Sequence, residues 1–119
     1  MDIFDEMDRL IDHKTFKYFS RRYWMPPTDI YETPHEILVY MEISGLDKKD
    51  ITITYRNEHL FISGMRAQFF PESMSTLHQM EIETGRFCRK IKVGIDIVED
   101  DIQAEYKEGI LKVTIPKRS

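Results

Sequence analysis

The chain has 119 residues, which is enough for one domain of ordinary size with a short extension. Its formal net charge of −4 provides no general attraction to phosphate backbones or anionic lipids, so neither nucleic acid nor a membrane is an expected partner. Cys88 is the only cysteine, which excludes an internal disulfide and favours a reducing compartment, for which we expect the cytoplasm.

The first 26 residues differ in character from the rest and end at the helix-breaking pair Pro26-Pro27. They contain neither a basic leader nor a long apolar run, so neither a signal peptide nor a membrane span is predicted. Apolar residues recur at helical spacing near the start, with acidic residues on the other side, at Ile3, Phe4, Met7, Leu10 and Ile11. We therefore predict a partly helical N-terminal arm over residues 1–26.

From residue 27 to residue 117 the apolar residues alternate with polar ones, as in strands with one buried side. Six strands are predicted, with inward-facing residues Ile37, Val39, Met41 and Ile43; Ile51, Ile53 and Tyr55; Leu60 and Ile62; Phe87, Ile91 and Val93; Ile102, Ala104 and Tyr106; and Leu111, Val113 and Ile115. Turn residues separate them, which indicates an all-β domain built as an immunoglobulin-like antiparallel β-sandwich. Residues 118–119 would form a residual tail.

One connection, from residue 65 to residue 79, has no clear periodicity and is longer than a compact domain usually tolerates without a function. It contains four large apolar side chains, Phe69, Phe70, Met74 and Leu77. Leaving these in water would create a costly apolar patch, so a contact with another surface is expected. A mobile surface loop is the alternative.

No pattern in the sequence indicates catalysis or a bound cofactor. The four histidines are far apart and lack the spacing of zinc ligands, and the five glycines stand singly, which does not fit a phosphate-binding loop. Cys88 alternates away from Phe87 and Arg89, so we expect a passive thiol on the surface of a sheet rather than a nucleophile. The chain is predicted to be no enzyme and to need no metal, cofactor or ATP.

The last two predicted strands resemble the signature of the α-crystallin domain of small heat-shock proteins, which is alanine, four residues, glycine, one residue and leucine. Here these are Ala104, Gly109 and Leu111. We expect the alanine to permit close packing, the glycine to supply the positive φ of a tight hairpin and the leucine to return to the core. Segments 27–32, 41–46, 49–51, 60–64 and 85–93 resemble the family in the same order, with Ser44 and Gly94 where it usually has proline.

The resemblance implies an ATP-independent chaperone, a holdase that binds unfolding client proteins and prevents their aggregation. It also implies a homodimer formed by strand exchange, in which a strand from residues 65–79 pairs with the partner's edge strand near residues 29–32. The dimer interface would include Phe69, Phe70, Met74, Leu77, Arg89, Ile30 and Tyr31. A fixed-partner, co-chaperone-like module is the alternative function.

Arg89 shares the inward face of its predicted strand with Phe87 and Ile91, where an unpaired charge is costly. It should therefore have an acidic partner, and the resemblance implies an ion pair at or near the subunit interface. The alternative is an arginine whose stem packs while its head reaches water.

By the same resemblance, the N-terminal arm would contact clients and other subunits through Ile3, Phe4, Met7, Phe16, Phe19, Tyr23 and Trp24. The alternative is a helix packed on its own sandwich. In the family, a C-terminal tail with paired isoleucines docks into an apolar groove, which Ile51 and Ile53 would line here. Because the sequence given stops at Ser119 without such a tail, we expect a dimer or a small oligomer.

Overall fold

The computed structural model describes residues 23–67, 71, 73 and 76–118. These residues form seven strands and two short 3₁₀ turns. The strands are β1 (Thr28–Glu32), β2 (Glu36–Glu42), β3 (Ile51–Arg56), β4 (His59–Arg66), β5 (Gly85–Lys92), β6 (Gln103–Lys107) and β7 (Ile110–Pro116), and the turns are Lys48–Asp50 and Glu99–Asp101. The predicted all-β class is confirmed. Alternation did not reveal β1, because only one of its five residues is even half-buried and the rest are exposed.

Two antiparallel sheets make up the sandwich. The larger sheet has four strands in the order β1-β2-β7-β6, and the smaller sheet has three in the order β3-β4-β5. The predicted inward-facing residues meet between them, with Val39, Met41, Leu60, Phe87 and Val113 fully buried. Each such side chain stabilises the fold by about 1.5–3 kcal/mol relative to an exposed one. The alternating pattern therefore predicted the core correctly.

Two hairpins have two-residue turns with positive φ at both central positions, the backbone that matches the twist of paired strands. In the β3–β4 turn these are Asn57 (φ 50°) and Glu58 (φ 67°), and in the β6–β7 turn Glu108 (φ 53°) and Gly109 (φ 81°). A Cβ on Gly109 would lie 2.9 Å from the Cβ of Ser44. Positive φ and close approach both require glycine there, as the signature motif implied.

Two expectations about individual residues are wrong. Ala104 does not mediate close packing, because it is exposed on β6, an edge strand that the smaller sheet does not cover at this point. Cys88 is not on an open surface, since only 3% of it is exposed. Alternation assigns a residue to one side of a strand, but it does not tell whether that side is covered.

Gly64 on β4 provides a test of how tightly the neighbouring strands of the smaller sheet pack around Phe87. A Cβ at this position would lie 2.5 Å from the carbonyl oxygen of Asp50 and 2.6 Å from Cζ of Phe87, and neither the backbone nor the buried ring can yield easily. We expect Gly64→Ala to lower the free energy of unfolding by about 3 kcal/mol. Urea titration followed by circular dichroism measures this change.

The control is Gly94→Ala, because Gly94 has φ 81° but a Cβ there would meet no atom within 4 Å. This change introduces only backbone strain, which costs about 1–2 kcal/mol. Equal unfolding midpoints for Gly64→Ala and the parent protein would contradict the close approach.

Candidate protein-binding surfaces

An apolar groove runs along one side of the sandwich, between β3 and β6. These are edge strands of different sheets and do not pair, so the sandwich is open there. The cavity has a volume of about 260 Å³ and is lined by Ile53, Tyr55, Leu60, Glu99, Ile102 and Ala104. Because Ala104 has only a methyl side chain, it leaves the space between the strands unfilled.

The groove includes one of the two residues expected from the resemblance. Ile53 lines it, whereas Ile51 lies outside the lining and packs against the core. The hydroxyl of Tyr55 donates a hydrogen bond to the carbonyl oxygen of Gly94 (2.8 Å). Burial, and then the carboxylate of Glu99, raises the pKa of Tyr55 above its ordinary value. Sequence reasoning missed Tyr55 and Glu99 because the groove joins strands distant in sequence.

The opposite side of the sandwich is open for a different reason. Because β3 lies beside β6, the three strands of the smaller sheet cover the larger sheet from β6 to β2. The fourth strand of the larger sheet, β1, extends beyond the smaller sheet. Ile30 faces inward opposite Val39, yet it is 49% exposed. Tyr31, also exposed, packs edge-on against Tyr40, with ring centroids 5.8 Å apart. Within the described part of the chain, a strand edge without a pairing partner and an apolar strip therefore lie together.

Arg89 lies on the inward face of β5, opposite Ile62 of β4. Its Nε is buried and has no hydrogen-bond partner in the structure as described, and burial lowers the pKa of the guanidinium. The described part of the protomer therefore leaves this donor unsatisfied. A buried, unsatisfied donor of this kind costs about 1–3 kcal/mol.

The long connection between β4 and β5 is irregular and exposed at residues 76–83. Leu77, Met80 and Ile82 are all exposed apolar side chains, while Phe69, Phe70 and Met74 lie outside the described residues. Sequence reasoning missed Met80 and Ile82, although their alternation with Glu81 and Glu83 was a detectable signal.

Arg66 holds the two ends of this connection close to the sandwich. Its guanidinium donates hydrogen bonds to the carbonyl oxygen of Glu83 through Nε (2.9 Å) and Nη2, and to that of Ser44 through Nη1 (3.3 Å). It also lies over the ring of Trp24, 4.2 Å from the centroid. The exposed apolar residues therefore belong to a connection whose two ends are held at the sandwich by Arg66.

The residues predicted to contact clients divide into two groups. Five of them, Ile3, Phe4, Met7, Phe16 and Phe19, lie outside the described residues. Tyr23 is buried, and Trp24 packs edge-on against Phe87 with ring centroids 5.6 Å apart. The indole Nε1 of Trp24 also donates a hydrogen bond to the carbonyl oxygen of Gly85 (3.1 Å). Tyr23 and Trp24 thus belong to the sandwich, which corrects their assignment to a free arm.

Across the described residues, no three His, Cys, Asp or Glu side chains are grouped as metal ligands would be. The described part of the chain also contains no helix long and apolar enough to cross a membrane. Two apolar surfaces of the described residues are open, the groove and the β1 edge.

Comparison with known sequences gives one consistent result. The sequence profile of the Hsp20/alpha crystallin family matches residues 29–119. The chain is 35% identical to small heat shock protein C2 of Rickettsia felis over 119 residues, covering 98% of this chain and 76% of that protein. It is 40% identical to heat shock protein HSP.16.4 of Streptococcus thermophilus over 95 residues, covering 77% of this chain and 66% of that protein.

Solved structures agree with the sequence comparison. A small heat-shock protein from Xylella fastidiosa superposes with a TM-score of 0.72 at 29% identity, covering 81% of this chain and 88% of that one. The hspA protein of Xanthomonas axonopodis gives 0.72 at 27% identity, covering 80% and 95%. With the sandwich and the hairpin glycine described above, these matches show that the chain belongs to the Hsp20/alpha crystallin family of small heat-shock proteins.

Proposed function

We propose that this chain is a holdase subunit, which pairs with a second copy and holds unfolding proteins without using ATP. Membership of the small heat-shock protein family supports a chaperone role. The observation that carries the finer proposal is the pair of apolar surfaces on opposite sides of one sandwich, the β3–β6 groove and the β1 edge. Two separate surfaces allow one subunit to bind another copy and an unfolded chain at the same time.

The β1 edge is suited to pairing with a second copy. Its unpaired N–H and C=O groups are a template for another strand, and an uncovered edge is an aggregation hazard. The chain has its own candidate strand in the connection of residues 67–84, where the exposed Met80 and Ile82 alternate with charged residues. In this proposal, that segment crosses to the partner's β1 and covers the partner's Ile30.

Arg89 supports the same arrangement. An arginine on the otherwise apolar inward face of a strand is stable only if its charge is compensated. The described protomer gives its Nε no hydrogen bond, so a carboxylate from the second copy is the partner we propose. Burial of this ion pair at the interface would make folding of the sandwich dependent on association.

The groove is suited to an extended apolar segment. Its walls are two strand edges, and its floor is formed by Ile53, Leu60 and Ile102. Peptides bound in this way place alternate side chains into the pocket, so specificity is low and many unfolded chains fit. Such tolerance is what a general holdase needs.

Aggregation assays test the holdase activity directly. We expect the protein to reduce light scattering by several unrelated clients, heated or reduced, at roughly stoichiometric ratios and equally with or without ATP. Ala104→Trp should weaken this protection, because the indole would fill the groove from an exposed position where it does not disturb the core.

Gln103→Trp is the matched control for the groove, since Gln103 is an exposed neighbour on β6 that faces the other side of the strand. Protection of one client alone would favour a module with a fixed partner. Equal protection by both tryptophan variants would remove the groove from the proposal.

Ile30→Glu tests the β1 edge. Ile30 is already half exposed, so the protomer should tolerate the change, but burying a charge against a partner strand is unfavourable. We expect the dimer dissociation constant to rise by at least about tenfold, which is 1.4 kcal/mol. Sedimentation velocity over a concentration series measures it. Ile110→Glu is the control, because Ile110 is 39% exposed and lies at the start of β7, an interior strand that does not pair with β1. Equal effects of both changes would refute the β1 interface.

Arg89→Met distinguishes a paired arginine from an unpaired one. Methionine keeps an unbranched side chain as far as the position of Nε and removes the charge. If the second copy supplies a carboxylate, the variant should lose about 1.5–3 kcal/mol of stability, and its melting temperature should fall together with dimerisation. If Nε has no partner in the assembled protein, the variant should instead be as stable as the parent or more stable, which would exclude the proposed ion pair.

A further inference from the structure

The outward face of the smaller sheet has a buried centre. The strand register places Phe61, Ser63 and Cys88 on the side of β4 and β5 that points away from the core. Side chains on the outer side of a sheet lie in water unless another layer covers them. Nevertheless, Phe61 is 0%, Ser63 is 7% and Cys88 is 3% exposed. This face is therefore covered, and by something other than the larger sheet.

The rim of the same face is basic. Four cationic side chains, Arg56, Arg86, Lys90 and Lys92, point outward around Phe61 and Cys88, and no outward-facing position of the three strands carries a carboxylate. In a chain of net charge −4 this is a pronounced local excess of positive charge. An apolar centre with a basic rim is complementary to an amphipathic segment with acidic flanks.

The first described residues of the chain lie next to this face. Trp24 forms a parallel bridge with Phe87 at the free edge of β5, and its backbone N–H donates a hydrogen bond to the carbonyl oxygen of Arg86 (3.1 Å). Tyr23, immediately before it, is buried. The preceding 22 residues therefore continue from a point fixed beside the outward face.

The N-terminal residues have the chemistry that this face requires. An apolar stripe at helical spacing, from Ile3 to Ile11, is flanked by Asp2, Asp5, Glu6, Asp8 and Asp12. A helix over residues 2–12 would be about 16 Å long, and a strand of eight residues is about 26 Å long, so the helix fits on the sheet. Residues 12–22 can span up to about 35 Å, which exceeds the roughly 10 Å width of three strands.

We propose that the outward face of the smaller sheet is the docking site of the chain's own N-terminal segment, residues 1–22. Its apolar stripe covers Phe61 and Cys88, and its acidic residues contact the basic rim. The tether at Trp24 gives the segment a high effective concentration at its own sheet, which favours it over the same segment of another copy. This inference does not rest on holdase activity. If the protein is a holdase, the apolar stripe of the docked segment is not available to clients, and the segment must leave this face before the stripe can contact them.

Disulfide trapping in the full-length protein tests this docking, because Cys88 is the only native cysteine. Met7→Cys places a second thiol on the apolar stripe, and Asp8→Cys, its matched control, places one on the acidic side. Under mild oxidation, we expect Met7→Cys to form a disulfide within one chain several-fold faster than Asp8→Cys, since a disulfide requires Cβ atoms about 4 Å apart. Mass spectrometry after non-reducing electrophoresis distinguishes bonds within a chain from bonds between chains.

Thiol labelling gives an independent readout that needs no added cysteine. Burial raises the pKa of the Cys88 thiol to about 12, so this thiol should react slowly with a disulfide reagent at pH 8. The double variant Met7→Asp, Leu10→Asp should release the segment and accelerate labelling by on the order of tenfold or more. Lys14→Gln is the control and should change labelling little, because Lys14 lies outside the apolar stripe and its acidic flanks.

Three results would overturn the proposal. Disulfides formed only between chains would show that another copy supplies the cover. Equal trapping of Met7→Cys and Asp8→Cys would show that the apolar stripe does not face Cys88. Unchanged labelling in the double aspartate variant would show that residues 1–22 do not protect the thiol.

Discussion

The larger sheet has one strand more than the smaller sheet against which it packs, and the open side at β1 depends on that mismatch. Here β1 extends past the core, so its edge and the inward-facing Ile30 lie open. On the other side, β3 and β6 do not pair, and the gap between them is the groove.

These open sides are stable because the core between the other strands is continuous. Val39, Leu60 and Phe87 are fully buried between the two sheets, and within the smaller sheet Gly64 approaches Phe87 closely. A rigid sandwich can present apolar surface that would be hazardous on a weakly folded one. Arg89 is the exception to an apolar interior, since its buried Nε has no hydrogen-bond partner among the described residues. In the proposed dimer, stability and association are linked at this residue.

The third surface, the outward face of the smaller sheet, differs from the other two because it is already covered at its centre. Phe61 and Cys88 are buried there, within a rim of cationic side chains. A segment docked on this face by an apolar stripe and salt-sensitive charge pairs can leave without unfolding the sandwich. The groove, the β1 edge and this face are therefore surfaces of different kinds on one small domain.

The sequence by itself determined the sandwich, its inward-facing residues and its hairpins. Alternation is a local property, so Val39, Met41 and Val113 could be assigned to the core from neighbouring residues alone, and positive φ at Gly109 followed from the turn. Tertiary structure alone decided which sides of the strands are covered. Cys88 and Ala104 were assigned to their strands correctly, yet one is buried and the other exposed. Three further features likewise depend on how strands distant in sequence stack: the groove lining, the extension of β1 beyond the smaller sheet and the unsatisfied Nε of Arg89. No local pattern encodes how far one sheet extends over the other.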